Sequence, residues 1–260
     1  MDAAEQTAAE RISILKVPLD ILPPEAMEEK IYGLLKTEKP QNIVLLSLWD
    51  LLRARRNSEY RSYVLNAALV IPISKSLIGG ARFLTRKTPV RYMPFDFVIR
   101  LLTILEKREY SLYLLGGKKS ILQKTEKNLR QTFPKLRIVG RYIGRFEQAE
   151  QGTILQAIRK AGPSLLLVGK GVRGREKWIA RHGGALNPAL RLWCSDLFDV
   201  FAERRRRPSE GVFRRGMEWI GFCLRNPFKL FRIFPYLYYK LLLVVYRLFV
   251  KPSAPETGSE

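Results

Sequence analysis

Residues 110–178 read YSLYLLGGKKSILQKTEKNLRQTFPKLRIVGRYIGRFEQAEQGTILQAIRKAGPSLLLVGKGVRGREKW. Two apolar runs, Tyr110–Leu115 and Leu165–Val168, each end in glycines and lead into a helix-like pattern. Leu136–Val139 supplies a further short strand between them. Continuous apolar strands alternating with amphipathic helices predict a parallel sheet covered on both faces. Ligands of such sheets sit at the carboxyl ends of the strands, where these glycines fall. A glycine there admits a phosphate close to the backbone, and a following helix N-terminus adds partial positive charge. The stretch therefore predicts a nucleotide- or phosphate-binding α/β protein.

The same alternation extends toward the N-terminus. Ile12–Leu22 reads as a strand, Glu25–Lys36 as an amphipathic helix and Asn42–Leu48 as an apolar strand. Leu51–Tyr63 follows as a basic helix, Ala67–Ile73 as a third strand broken by Pro72, and Ser76–Leu84 and Asp96–Lys107 as helices. Arg191–Cys194 reads as a last short strand. No fixed repeat period emerges. The expected fold class is α/β, with a Rossmann-like, mostly parallel sheet, helices on both faces and a basic amphipathic helical appendage at the C-terminus. The expected divisions are residues 11–203 for the α/β domain, 204–251 for the appendage and 252–260 for a Pro, Ser, Gly and Glu-rich disordered tail.

The 260 residues are enough for one large domain with a substantial core. Lys and Arg number 46 against 24 Asp and Glu, a net charge of +22. Such a balance predicts an anionic partner: nucleic acid, anionic lipid or a phosphorylated substrate. Nucleic acid is disfavoured, since no aromatic RNP sheet, zinc knuckle or helix-turn-helix pattern is present. The start, MDAAEQTAAER, lacks the basic and apolar regions of a signal peptide, so a cytoplasmic location is expected. Cys194 and Cys223 form no metal or redox motif and read as buried small apolar residues. A single histidine, His182, reads as a surface loop residue. No Asp-x-Asp pair is present to hold a divalent ion, so neither a metal nor a cofactor is expected.

Charge and aromaticity concentrate in the tail. Arg204–Lys251 holds 12 basic and 2 acidic residues, contributing +10 of the +22. No 18-residue window of NPFKLFRIFPYLYYKLLLVVYRLFV (226–250) is free of charge, which disfavours a spanning helix. On a helical wheel Lys229, Arg232, Lys240 and Arg247 fall at about 0°, −60°, +20° and 0°, a single face, with Pro235 as a kink. A cationic stripe beside a wide aromatic and aliphatic face suits a helix lying on an anionic membrane surface. A helix packed on the core or on a partner is the alternative.

Glycine-bounded strands also carry a family resemblance. LLGG at 114–117 is followed by the spaced pattern NL...FP.L.IVG...G.F over 128–146 and P.LLLVG.G....E.W over 163–178. ARRNSEYR (54–61), VRYMPFD (90–96), LFD (197–199), RRP (206–208) and GMEWIGFCLRNPFKLFR (216–232) complete the set in order. In this order the motifs resemble the WecG/TagA/CpsF family of bacterial glycosyltransferases over roughly residues 11–232. The resemblance implies transfer of an amino sugar, typically N-acetylmannosamine or its uronic acid, from a UDP donor to a polyprenyl-diphosphate-linked acceptor. Such products feed cell-surface polymers such as teichoic acid, enterobacterial common antigen or capsule. It further implies a peripheral enzyme at the inner face of the bacterial cell membrane, and it leaves a homo-oligomer open.

Candidate residues follow from chemistry and resemblance together. A diphosphate leaving group needs cations and close backbone approach. Gly116, Gly117, Gly169 and Gly171 with Lys118, Lys119, Arg173 and Arg175 are the candidates. Glu176 matches the glutamate of the family's Pro-x-Gln-Glu motif, which here reads Arg-Gly-Arg-Glu. Arg91 and Asp96 match an arginine and an aspartate of the family's catalytic segment, although Asp96 could equally cap the helix that begins there. Arg214, Arg215 and Arg225 match C-terminal arginines that face the phosphates or the lipid. The family's proposed general base is an Asp after the third strand, where this chain has Ile73-Ser74. Its Thr-x-Asn falls near Leu45–Ser47, and no acid occurs between Arg61 and Asp96. Either another acid serves, with Asp50 and Asp96 available, or the chain is a catalytically inactive relative that binds nucleotide or lipid phosphate.

Overall fold

The computed structural model describes residues 9–37, 39–186, 190–206, 211, 213 and 233–249. The N-terminal segment is a hairpin rather than the single strand expected over Ile12–Leu22. It consists of β1 (Glu10–Ile14) and β2 (Val17–Ile21), paired antiparallel. Leu15 and Lys16 both turn at positive φ, 51° and 64°. Two-residue hairpin turns ordinarily mark themselves with Asn or Gly. Here burial of Leu15 holds the turn, so the alternation runs through it unmarked.

Six further strands form one parallel sheet in the order β4-β3-β8-β7-β5-β6. They are β3 (Gln41–Leu46), β4 (Leu69–Pro72), β5 (Ser111–Leu115), β6 (Arg137–Tyr142), β7 (Leu165–Gly169) and β8 (Leu190–Ser195). Every residue of β5 and of β7 is buried, as the continuous apolar runs demand. The last strand, β8, lies mid-sheet between β3 and β7.

One face of the sheet carries α2 (Leu48–Arg56), α3 (Ser58–Leu65), α4 (Lys75–Thr85), α7 (Gln151–Ala161), α8 (Glu176–His182) and the hairpin. The other carries α1 (Met27–Lys36), α5 (Pro94–Lys107), α6 (Lys119–Thr132) and α9 (Leu197–Phe201). The basic helix expected over Leu51–Tyr63 is two helices. Asn57 ends α2 with its N–H on Arg53 O and caps α3 by accepting the Tyr60 N–H at 2.8 Å. Asp20, in β2, is buried and seals edge strand β4. Its carboxylate accepts the Val70 N–H at 2.5 Å and two bonds from Arg11 at 2.7 and 2.9 Å.

The C-terminal helix is α10 (Ile233–Phe249), with Pro235 in its first turn, where a missing N–H costs little. Tyr239 donates to Ser76 O at 3.1 Å, Leu243 packs at Gly80, and Arg247 stacks over Phe83 at 4.5 Å. These steps set α10 alongside and parallel to α4. A Cβ on Gly80 would overlap the Tyr239 hydroxyl, so the glycine is the notch that seats the helix. Tyr239 and Leu243 are buried, whereas Leu237, Leu241, Val244 and Leu248 on the far side are exposed. At 100° per residue those four lie about 100–200° from the packed pair, with Lys240 and Arg247 on one flank. The helix thus has two apolar faces and covers the core with only one. Among the described residues no helix is long and apolar enough to cross a membrane.

Candidate functional site

Carboxyl ends of the strands meet over a floor of interlocked glycines. Gly116, at φ +138°, lies so close to Gly169 that a Cβ would come within 2.7–2.8 Å of its backbone. Gly144 approaches the Lys170 carbonyl and the Gly116–Gly117 backbone in the same way. Gly116 N donates to Tyr142 O at 2.9 Å, Gly117 N to Lys170 O at 2.6 Å and Gly144 N to Gly117 O at 2.9 Å. The N–H groups of Gly116 and Gly117 are therefore committed to protein carbonyls. This corrects the expectation that they are aimed at a phosphate. The glycines let three loops cross at backbone contact. Around this buried floor stand exposed cations: Lys118 and Lys119 at the start of α6, and Arg173 and Arg175 with exposed Gly171 before α8.

Residues of the LFD segment underpin the floor, a role that sequence reasoning did not assign. The Phe198 ring lies against Gly169, where a Cβ would meet it at 2.6 Å. Buried Asp199 holds Lys170 at 2.5 Å, and Asp196 holds Arg205 at 2.5 Å. The only legible trace was the motif's place among the ordered motifs of the family resemblance.

A second wall is built at the ends of β3 and β4. Ser47 and Asp50 form a capping box at the start of α2. Asp50 Oδ2 accepts from Ser47 N at 3.0 Å and from Ser47 Oγ at 2.5 Å. Ser74 Oγ, just past β4, accepts the Leu48 N–H at 3.1 Å and so ties the two loops together. Arg91 donates from Nε to Ile73 O at 2.9 Å and from Nη1 to Phe213 O at 2.6 Å, with its guanidinium 3.7 Å from the Phe213 ring. Next to it, buried Tyr92 donates to Leu22 O at 2.8 Å, and burial pushes its hydroxyl up to about 12.

Glu176 is buried at the N-terminus of α8 and pairs with Arg53 at 3.2 Å. Arg53 also stacks on Tyr60 at 4.0 Å. Burial raises the hydroxyl pKa values of Tyr60 and Tyr63, with Asp50 and Glu176 adding to the rise. Arg175 precedes α8 at φ 54°, ψ −128°, a backbone region that L-residues seldom occupy. Asp96 is not the residue that caps α5: the cap position is Met93, and Asp96 lies in the first turn. It lines a groove of about 650 Å³ between α5, α6 and α9, together with Phe95, Ile99, Asn128 and Phe201. His182 is the last residue of α8 rather than a loop residue, and it stacks on Trp178 at 5.0 Å. Cys194 is buried, and burial pushes its thiol up. Arg214, Arg215, Arg225 and Cys223 lie outside the described residues.

Similarity to known proteins matches this geometry with a family. The sequence profile of the Glycosyl transferase WecG/TagA/CpsF family matches residues 12–255. The chain belongs to this family. It is 21% identical over 211 residues to the N-acetylglucosaminyldiphosphoundecaprenol N-acetyl-beta-D-mannosaminyltransferase of Bacillus subtilis (strain 168), covering 81% of this chain and 78% of that one. It is 20% identical over 229 residues to the identically named protein of Staphylococcus aureus (strain MW2), covering 87% of this chain and 89% of that one. The WecG/TagA/CpsF match spans the glycine floor, the ends of β3 and β4, and α10.

Proposed function

We propose that the chain transfers an N-acetylmannosamine-like sugar from a UDP-sugar to a polyprenyl-diphosphate-linked acceptor, at the inner face of a bacterial cell membrane, in cell-surface polysaccharide biosynthesis. The observation that carries this reading is the family match over residues 12–255, together with relatives named as transferases to a diphosphoundecaprenol-linked sugar. Chemistry of the glycine floor agrees. Lys118, Lys119, Arg173 and Arg175 would neutralise a diphosphate leaving group over a floor that backbone contact keeps shallow. Gly116, Gly117 and Gly169 shape that floor with Gly171 at its rim, and Glu176 holds Arg53. Arg91 would position the β4 loop, and Arg214, Arg215 and Arg225 are the candidates to face the phosphates or the lipid. Asp96, in the α5 groove, is a weaker candidate for direct chemistry. The exposed apolar face of α10 with Lys240 and Arg247 beside it suits an anionic membrane surface, where a lipid-linked acceptor resides.

A second reading rests on Ile73. Its N–H donates to Leu46 O at 3.0 Å, and its side chain cannot accept a proton where the resemblance implies an aspartate. On that reading the protein is an inactive relative that binds nucleotide or lipid phosphate. Sugar transfer from UDP-N-acetylmannosamine to polyprenyl-diphosphate-GlcNAc in anionic vesicles separates the two. Turnover that falls in Arg91→Ala supports the transferase. A folded, vesicle-bound protein without turnover supports the inactive relative.

A further inference from the structure

Transfer to a hydroxyl requires a proton acceptor within reach of it. Among the described residues, Asp50, Glu176, Asp196 and Asp199 follow β3, β7 and β8 at the carboxyl edge, and the last three are engaged by cations; Glu147 and Glu150 beyond β6 are exposed, and Glu203 pairs with Lys124. Glu176 is paired with Arg53, Asp199 with Lys170 and Asp196 with Arg205. Asp96, on α5, lines a groove that runs down to Thr132 and Phe133 at the far end of α6. Asp50 makes no ion pair among the described residues. Its Oδ2 holds the Ser47 hydroxyl at 2.5 Å, and its turn is joined to the β4 loop by Ser74. The Tyr60 and Tyr63 hydroxyls of α3 feel Asp50 together with Glu176 of α8, Arg53 of α2 and Arg191 of β8.

We infer that Ser47 and Asp50 are the proton-accepting pair of the reaction, an inference that rests on the transferase reading above. The acceptor hydroxyl donates to Ser47 Oγ, and the serine proton passes to Asp50. The acceptor oxygen then bonds to the anomeric carbon as the bond from that carbon to the diphosphate breaks. The electron pair leaves on the nucleoside diphosphate, and Asp50 later returns its proton to water. Ser47 touches the substrate in this scheme, and Asp50 acts through it. A capping role alone would not need an ionised carboxylate, because Glu and Gln serve equally well at the third position of a capping box.

That equivalence supplies the test. Wild type, Ser47→Ala, Asp50→Gln and Asp50→Glu are assayed on anionic vesicles with UDP-N-acetylmannosamine and polyprenyl-diphosphate-GlcNAc. UDP binding, melting temperature and the pH–rate profile are measured alongside. Asp50→Gln is expected to lose about 100-fold or more in kcat, to bind UDP and melt like wild type, and to lose the acid limb of the profile. Asp50→Glu should retain that limb. Asp50→Gln activity within a few-fold of wild type overturns the inference. Loss of rate, UDP binding and melting temperature together in both Asp50 variants means a structural role and overturns it as well. A wild type that makes no product removes the transferase reading, and the pair falls with it.

Discussion

Arg91 Nε donates to the carbonyl of Ile73 at 2.9 Å, so the arginine grips the end of β4 from a segment 18 residues away. Its Nη1 reaches Phe213 O at 2.6 Å, at the head of the C-terminal segment. One guanidinium therefore joins the end of β4 to Phe213.

Arg91→Ala should therefore act on stability as well as on turnover. Hydrogen bonds from a charged donor to two carbonyls predict a loss of about 2 kcal/mol. Arg91→Lys, which cannot form the same fork, should recover less than half. Urea unfolding measures the first effect, and sugar transfer measures whether the rate falls further than the fraction unfolded.

Glycine substitutions should divide by location. Gly116→Ala meets the Gly169 backbone at positive φ, and a cost of roughly 3 kcal/mol is expected. Gly33→Ala, in α1 with nothing within 4 Å, should instead stabilise by about 0.5–1 kcal/mol. Thermal melts of the two variants must move in opposite directions.

Membrane attachment through α10 is testable without disturbing its seat. Leu241→Glu with Leu248→Glu alters only exposed positions and should leave the melting temperature nearly unchanged while abolishing flotation with anionic vesicles. Gly80→Val should instead displace Tyr239 and speed trypsin cleavage within α10. Wild-type flotation by the double glutamate variant would separate α10 from membrane binding.

Acid should loosen the contact between α3 and α8. Arg181 and Lys177 pull the Glu59 carboxylate down to about 2. Because the folded value lies below the ordinary one, the stabilisation is complete above pH of about 4.5 and is lost as pH falls toward 2. Glu59→Gln should therefore be less stable near neutrality and show a shallower loss of stability across that window, as read by urea titrations at each pH.

Local order was largely legible. The buried runs of β5 and β7 have no polar face, so only an interior parallel position satisfies them, and their glycine ends marked the carboxyl edge. Asn57 was harder to read, because an asparagine inside a basic helical pattern breaks the helix only if its side chain accepts the N–H three residues on. The Leu15–Lys16 turn had no turn residue to reveal it, since burial of Leu15 rather than backbone preference holds it.

The chain's pattern of apolar spacing and breakers determined its strands, its helices and their alternation, because these depend on neighbours a few residues away. Tertiary structure decided which groups meet. It placed the last strand mid-sheet, laid Phe198 on Gly169, and committed the glycine N–H groups to other loops. Such pairings join positions tens of residues apart, and their energies arise only once the sheet has closed the distance.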